Sequence, residues 1–169
     1  RLGIEAHISA DATRIKVASH VILPGVGAAA PGMQRLRETG LVETIRGLTQ
    51  PVLGVYLGMQ LLFERSEESD TQCLGLVPGA VQHFPQKDNL RIPHMGWNTL
   101  RVERNSELFY SLEPACQVYF VHSYAAPISS HTLASTDYGA PSSAVVRHRN
   151  FYGMQFHPER PVPPGAHIL

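Results

Sequence analysis

The 169 residues carry 14 Lys and Arg against 14 Asp and Glu, a formal net charge of zero, so no electrostatic footprint for nucleic acid or an anionic lipid surface is visible. Hydrophobic content of 43% and charged content of 17% describe an ordinary soluble globular chain, long enough for one domain with a sizeable core; no apolar run nears the roughly 20 residues that span a membrane. Two cysteines, Cys73 and Cys116, are too few for a disulfide scaffold and point to a reducing, cytoplasmic setting. No signal peptide opens the chain, and a start at Arg1 rather than Met suggests a fragment.

In chain order, residues 3–9 read as a short strand. His20-Val21-Ile22-Leu23 reads as a buried strand stopped by Pro24-Gly25-Val26-Gly27. A strand running into a glycine-rich loop and then a helix is the usual edge of an α/β ligand site, and backbone N–H groups of such a loop can face an oxyanion. A plain tight turn accounts for the same glycines. Residues 33–37 and 41–48 have amphipathic helical character, with Gly40 as the break between them.

The next stretch organises the rest. Val52, Leu53 and Val55 end a buried strand, residues 57–64 have helical character, and Gly54-Val55-Tyr56-Leu57-Gly58 lies between. This is the G-x-nucleophile-x-G pattern of a nucleophile elbow, in which the central residue takes a strained, exposed position at a helix N-terminus. The flanking glycines let strand and helix approach without a Cβ clash, and the helix end favours negative charge on whatever is attacked. The central residue here is Tyr56, where the chemistry wants Cys or Ser.

Residues 63–70 read as an acidic helix end and a solvated loop. Residues 76–81 and 90–102 contain short strand-like runs broken by Pro and Gly, with the single Trp97 placed in a loop beside Gly96 and Asn98. A strand is expected over 118–124 and two more over 143–146 and 151–156, separated by the basic turn Arg147-His148-Arg149-Asn150. Then comes Gln155-Phe156-His157-Pro158-Glu159. Residues two apart in an extended segment share a face, and Pro158 favours extension. His157 and Glu159 thus have the spacing of a base and its orienting carboxylate. Nine histidines are scattered without a metal-ligand pattern, so no metal site is expected.

Taken together, Pro24-Gly25-Val26-Gly27, the elbow through Gln60, Pro93-His94-Met95-Gly96-Trp97-Asn98, Phe120-Val121-His122-Ser123-Tyr124 and Gly153 through Glu159 resemble the class I (triad) glutamine amidotransferases. The Pro93 to Asn98 segment narrows the resemblance to the glutaminase subunits of imidazole glycerol phosphate synthases, in histidine biosynthesis. That resemblance implies a flavodoxin-like α/β sandwich with a mixed central sheet, formed by one domain over residues 1–160, followed by a Pro-rich tail over 161–169. It implies glutamine as substrate, ammonia passed to a (β/α)8-barrel cyclase subunit, and no cofactor.

By the same resemblance His157 is the general base and Glu159 its orienter. The oxyanion hole uses the Leu57 N–H and one from Gly25, Val26 or Gly27. Gln60 and Glu68 hold the amino acid end of the substrate, backbone of Ser123 and Tyr124 closes the pocket, and Trp97 and Asn98 face the cyclase. The sequence departs from the family in three places. Tyr56 stands at the nucleophile position, where a phenol with a pKa near 10 is scarcely ionised at neutral pH; Cys73 and Cys116 sit in no elbow and cannot replace the missing thiol. The amino end is short by about one strand and most of a helix, which implies exposed strand edges and marginal stability. The tail ends where the family continues into a closing helix. The chain is therefore expected to be glutaminase-deficient. A non-catalytic subunit that binds or regulates the cyclase, and another triad amidotransferase, stand as alternatives. Cys and Tyr codons differ by one base, so the departure at position 56 alone amounts to a single nucleotide.

Overall fold

A computed structural model describes residues 5–87, 90–110, 112 and 115–158. Residues 5–10 form no strand, contrary to expectation, and residues 1–4 lie outside the described set. Among the described residues no neighbouring strand offers 5–10 a ladder, so their polar backbone stays in contact with water. A helix the sequence pattern did not suggest follows, α1 (Ala12–Val17), capped by the Asp11 carboxylate accepting from the Thr13 N–H at 2.8 Å.

Strand β1 (Val21–Leu23) leads to α2 (Ala29–Glu38) and α3 (Leu41–Arg46), with the turn between them made at Gly40, φ +66°. Helix α2 starts four residues before the predicted 33–37 because the Glu68 carboxylate, 39 residues away in sequence, accepts the Ala29 N–H at 2.7 Å. After β2 (Val52–Val55), helix α4 (Leu57–Leu62) is shorter than the expected 57–64. Phe63 to Ser66 instead form β3 (Phe63–Ser66), antiparallel to β4 (Thr71–Gln72) and parallel to β5 (Val77–His83). Tertiary pairing overrides local helix propensity there.

Trp97 lies in a strand, not a loop. β6 (His94–Thr99) pairs antiparallel along its whole length with β8 (Gln117–His122). The remaining strands are β7 (Arg101–Val102), β9 (Tyr124–Ala125), β10 (Thr132–Asp137), β11 (Pro141–His148) and β12 (Phe151–Met154). Of these, β10 carried no clear signal in the sequence.

The central sheet runs β1-β2-β12-β11-β10-β7. β2 is parallel to both β1 and β12, and the other pairings are antiparallel, so the sheet is mixed as expected. Successive residues point to opposite faces, and the core divides accordingly. Val146 and Val52 join one cluster with Met33, Ile45, Met59 and Leu62 of the helices. Val145 joins a second cluster with Val118 and Phe120 of β8, and Leu53 packs against it. Helices thus cover one face and the two-stranded β6–β8 sheet the other, the layered arrangement that buries both sides of an α/β sheet.

Candidate active site

Three glycines bring α4 onto the carboxyl ends of the parallel strands. A Cβ at Gly58 would lie 1.8 Å from the Leu23 carbonyl oxygen of β1, and one at Gly54 would lie 2.6 Å from the Gly58 oxygen. A Cβ at Gly153 on β12 would meet Met59 Cγ at 2.6 Å. The corner made possible by this approach falls on Tyr56, φ 54° and ψ −110°. Such backbone is rare for a bulky residue and costs on the order of 1–3 kcal/mol unless its surroundings enforce it. Two bonds do so: the Tyr56 N–H donates to Met154 O at 2.7 Å, and its carbonyl accepts the Gln60 N–H at 3.2 Å. The elbow read from the sequence is present.

The side chain of Tyr56 turns toward the other half of the site. Its ring stacks on the His157 imidazole, with centroids 5.1 Å apart and planes inclined 27°. Its hydroxyl donates to the Val121 carbonyl at 2.5 Å. The phenol proton is therefore committed to a backbone oxygen rather than offered to the imidazole. Burial, reinforced by the Glu68 carboxylate, raises the phenol pKa above its ordinary value. His157 is held by its own N–H donating to Tyr119 O at 3.2 Å, just beyond β12. Glu159, assigned as its orienter, lies outside the described residues.

The Leu57 N–H, expected in an oxyanion hole, donates to Gly25 O at 3.3 Å and is not free to meet a substrate. In the same loop Gly27 has φ +98° and Val26 is exposed. Glu68 is no bystander on a solvated loop: it is half-buried, caps α2 at Ala29 and acts on Tyr56. Gln60 is buried behind the corner, its Nε2 donating to Tyr124 O at 3.2 Å and to Gln155 Oε1 at 3.0 Å. Ser123 O accepts the Phe84 N–H at 3.0 Å, and Tyr124 pairs with His83 across β9 and β5. Of the Ser123–Tyr124 segment, Tyr124 meets α4 through the Gln60 bond, while Ser123 bonds to Phe84.

Trp97 and Asn98 lie on β6. Trp97 is 44% exposed and packs edge-on against Tyr119, with Met95 beside it at 62% exposure. The thiols offer no substitute nucleophile. Cys73 and Cys116 are both buried, and burial pushes the Cys73 thiol up to about 11, with Arg37 only partly opposing, so it stays protonated and unreactive. Sequence reasoning missed Val121 and Gln155, the groups that hold Tyr56 and Gln60. The first acts through its backbone and leaves no side-chain signal.

A strand-to-helix corner at positive φ, facing a histidine across the ends of parallel strands, is the site geometry of an elbow enzyme on an α/β sheet. The glutamine amidotransferase class-I family model matches residues 4–169, and the chain belongs to that family. Within it, the imidazole glycerol phosphate synthase subunit HisH of Xanthomonas axonopodis pv. citri is 52% identical over 169 residues, covering all of this chain and 84% of the relative. The subunit HisH 2 of Legionella pneumophila strain Paris is 49% identical, covering all of this chain and 85% of the relative. The chain is thus a member of the HisH branch of the class-I family. Solved structures agree on the fold. A glutamine amidotransferase superposes with a TM-score of 0.72 at 22% identity, covering 98% of this chain and 84% of that one. A putative GMP synthase component from Thermoplasma acidophilum gives 0.67 at 20%, covering 94% and 72%.

Proposed function

We propose that this chain is the glutamine-site partner within an imidazole glycerol phosphate synthase in which Tyr56 occupies the place of the attacking thiol, so that it binds its cyclase without hydrolysing glutamine. The observation that carries the reading is the Tyr56 side chain itself, stacked on His157 and bonded to Val121 O. In the family reaction a thiolate attacks the glutamine amide carbon, the base returns the proton to departing ammonia, and water releases glutamate. A nucleophile must pass its proton to the base as it attacks. Here the hydroxyl proton is bonded to a carbonyl, and the ring covers the imidazole from which it would have to be reached.

Under this reading His157 keeps the position of the general base and Glu159 that of its orienter. Gln60, Glu68, Ser123 and Tyr124 remain the wall of a pocket that the phenol partly fills. The Leu57 N–H supports the same view, since its bond to Gly25 O leaves that half of an oxyanion hole occupied. The (β/α)8-barrel cyclase is the proposed partner, and the exposed Met95 and Trp97 on β6 supply apolar anchors of the kind that protein interfaces use. Among the described residues neither Cys73 nor Cys116 is in a disulfide, as a reducing compartment favours, and the reading places the chain in the cytoplasm beside that partner. No helix among the described residues is long and apolar enough to cross a membrane.

The test mixes the chain with the cyclase, measures complex formation, and follows ammonia release from glutamine in the same sample. A complex with no ammonia above the uncatalysed background is expected. Turnover at the rate of a thiol glutaminase, or no complex at all, would overturn the reading.

A further inference from the structure

Two buried histidines that the reaction does not use lie end to end between β6 and the elbow. His94 and His122 are each 2% exposed. His122 Nδ1 lies 2.9 Å from Tyr124 O, and its Nε2 lies 3.2 Å from His94 Nδ1. His94 Nε2 is 3.3 Å from Asn98 Nδ2, which also donates to Asp137 O at 2.9 Å. The Asn98 amide is itself oriented, because its Oδ1 accepts the Thr99 N–H at 2.8 Å. At the other end Tyr124 O receives a second donor, Gln60 Nε2.

One carbonyl fixes every proton in this chain. Tyr124 O can only accept, so His122 Nδ1 must carry a hydrogen. Burial keeps the ring neutral, with its pKa lowered to about 4, which leaves Nε2 bare and accepting. His94 Nδ1 must then donate, and His94, lowered by burial to about 4 as well, presents a bare Nε2 to the Asn98 amide. Each nitrogen meets a partner of the opposite kind. Ring rotation is blocked, since His94 lies between Phe120 (4.8 Å, 19°) and Tyr138 (4.0 Å, 16°). A packed core alone would ask only for flat rings of this size. It would not ask for a uniform direction of donation from one end to the other.

We propose that His94 and His122 are positioning residues, neutral Nδ1–H imidazoles that carry hydrogen-bond orientation from Asn98 on the exposed strand to the Tyr124 carbonyl and thereby to the Gln60 side chain behind Tyr56. A change at Asn98 is felt at Gln60 without the backbone between them moving. What Gln60 does with that orientation rests on the pocket reading above; the relay itself rests only on the hydrogen bonds.

The experiment is long-range imidazole nitrogen–proton correlation on the full labelled chain at neutral pH, with no glutamine or cyclase present. The expected result is a protonated Nδ1 and a bare Nε2 on both His94 and His122, the reverse of the tautomer that free imidazole favours in water. Asn98→Asp replaces the donor by a carboxylate that can only accept and so draws a proton to His94 Nε2. The His122 nitrogen signals and the Gln60 side-chain amide signal are then expected to shift, although neither residue touches position 98. Trp97→Ala, on the same strand but outside the relay, is expected to leave both in place. A proton on Nε2 of either histidine in the unmodified chain overturns the proposal, and this result needs no variant to fold. So does an Asn98→Asp change confined to His94, or an equal response to Trp97→Ala. Because no turnover is read, failure here leaves the functional reading intact, and a glutaminase-active chain leaves the relay intact.

Discussion

Replacing Gly58 by alanine attacks the feature on which the site is built. The added Cβ would sit 1.8 Å from the Leu23 carbonyl oxygen and 2.8 Å from its carbon. Both neighbours are backbone, so no side chain can swing aside. Relief requires α4 and the end of β1 to separate by more than about 1 Å, in an interior packed to crystal density. That separation also disturbs the Leu57 N–H bond to Gly25 O and the packing of Leu57, Met59 and Leu62 in the helix-side core. A loss of ~4 kcal/mol or more is expected, the range reserved for steric and core disruption, against a total stability of about 5–15 kcal/mol for a domain. The control is Gly40→Ala, at φ +66° with none of the described residues within 4 Å of the new Cβ, where only the left-handed backbone penalty of roughly 1–2 kcal/mol applies. Urea unfolding followed by tryptophan fluorescence reads both. With a slope of about 2 kcal/mol per molar, the control shifts its midpoint by ~0.5–1 M, whereas Gly58→Ala shifts it by ~2 M or more. A Gly58→Ala midpoint equal to or above that of the control would refute the close approach of strand and helix.

Three further outcomes follow from particular contacts. Glu68→Ala removes the acceptor for the Ala29 N–H and is expected to cost about 1–2 kcal/mol, seen as faster amide exchange in the first turn of α2; unchanged exchange there would contradict the capping role. Among the described residues Thr136 Oγ1 and Ser142 Oγ are buried without partners, and the two residues face each other across β10 and β11. Thr136→Val keeps the shape and is expected to stabilise the fold by about 1 kcal/mol, raising the urea midpoint. Finally, His94 and His122 have native pKa values lowered to about 4 against about 6.5 when unfolded. Their neutral burial is therefore fully stabilising above pH 6.5, and stability is lost as pH falls toward 4. The loss is about 2 kcal/mol per imidazole by pH 5. A urea midpoint unchanged between pH 7.5 and pH 5 would count against buried neutral rings.

The elbow was legible from sequence because its cause is local. Gly54, Gly58 and the change from apolar strand to helix sit within seven residues, and the clash Gly54 avoids is with the adjoining helix, although the one Gly58 avoids is with Leu23 of β1. His157 was legible for the same kind of reason, through its short motif with Pro158. What could not be read depends on partners distant in the chain. The early start of α2 comes from Glu68, and the conversion of residues 63–66 from helix end to strand comes from β5. Trp97 was misplaced into a loop because Gly96 and Pro93 look like turn residues, whereas pairing with Tyr119 on β8 extends the segment. The occupied Leu57 N–H and the Tyr56 hydroxyl bond are contacts to backbone carbonyls, which carry no residue signature.

Tyr56 is proposed to stand where the attacking thiol acts, so restoring a thiol at that position is expected to restore turnover. The direct measurement is ammonia release from glutamine by Tyr56→Cys and by the unmodified chain, each with the cyclase bound. Loss of a covalent nucleophile lowers turnover by on the order of 10^4- to 10^6-fold, so Tyr56→Cys is predicted to exceed the unmodified chain by that margin. Equal rates in the two proteins, whether both high or both at background, would contradict the account.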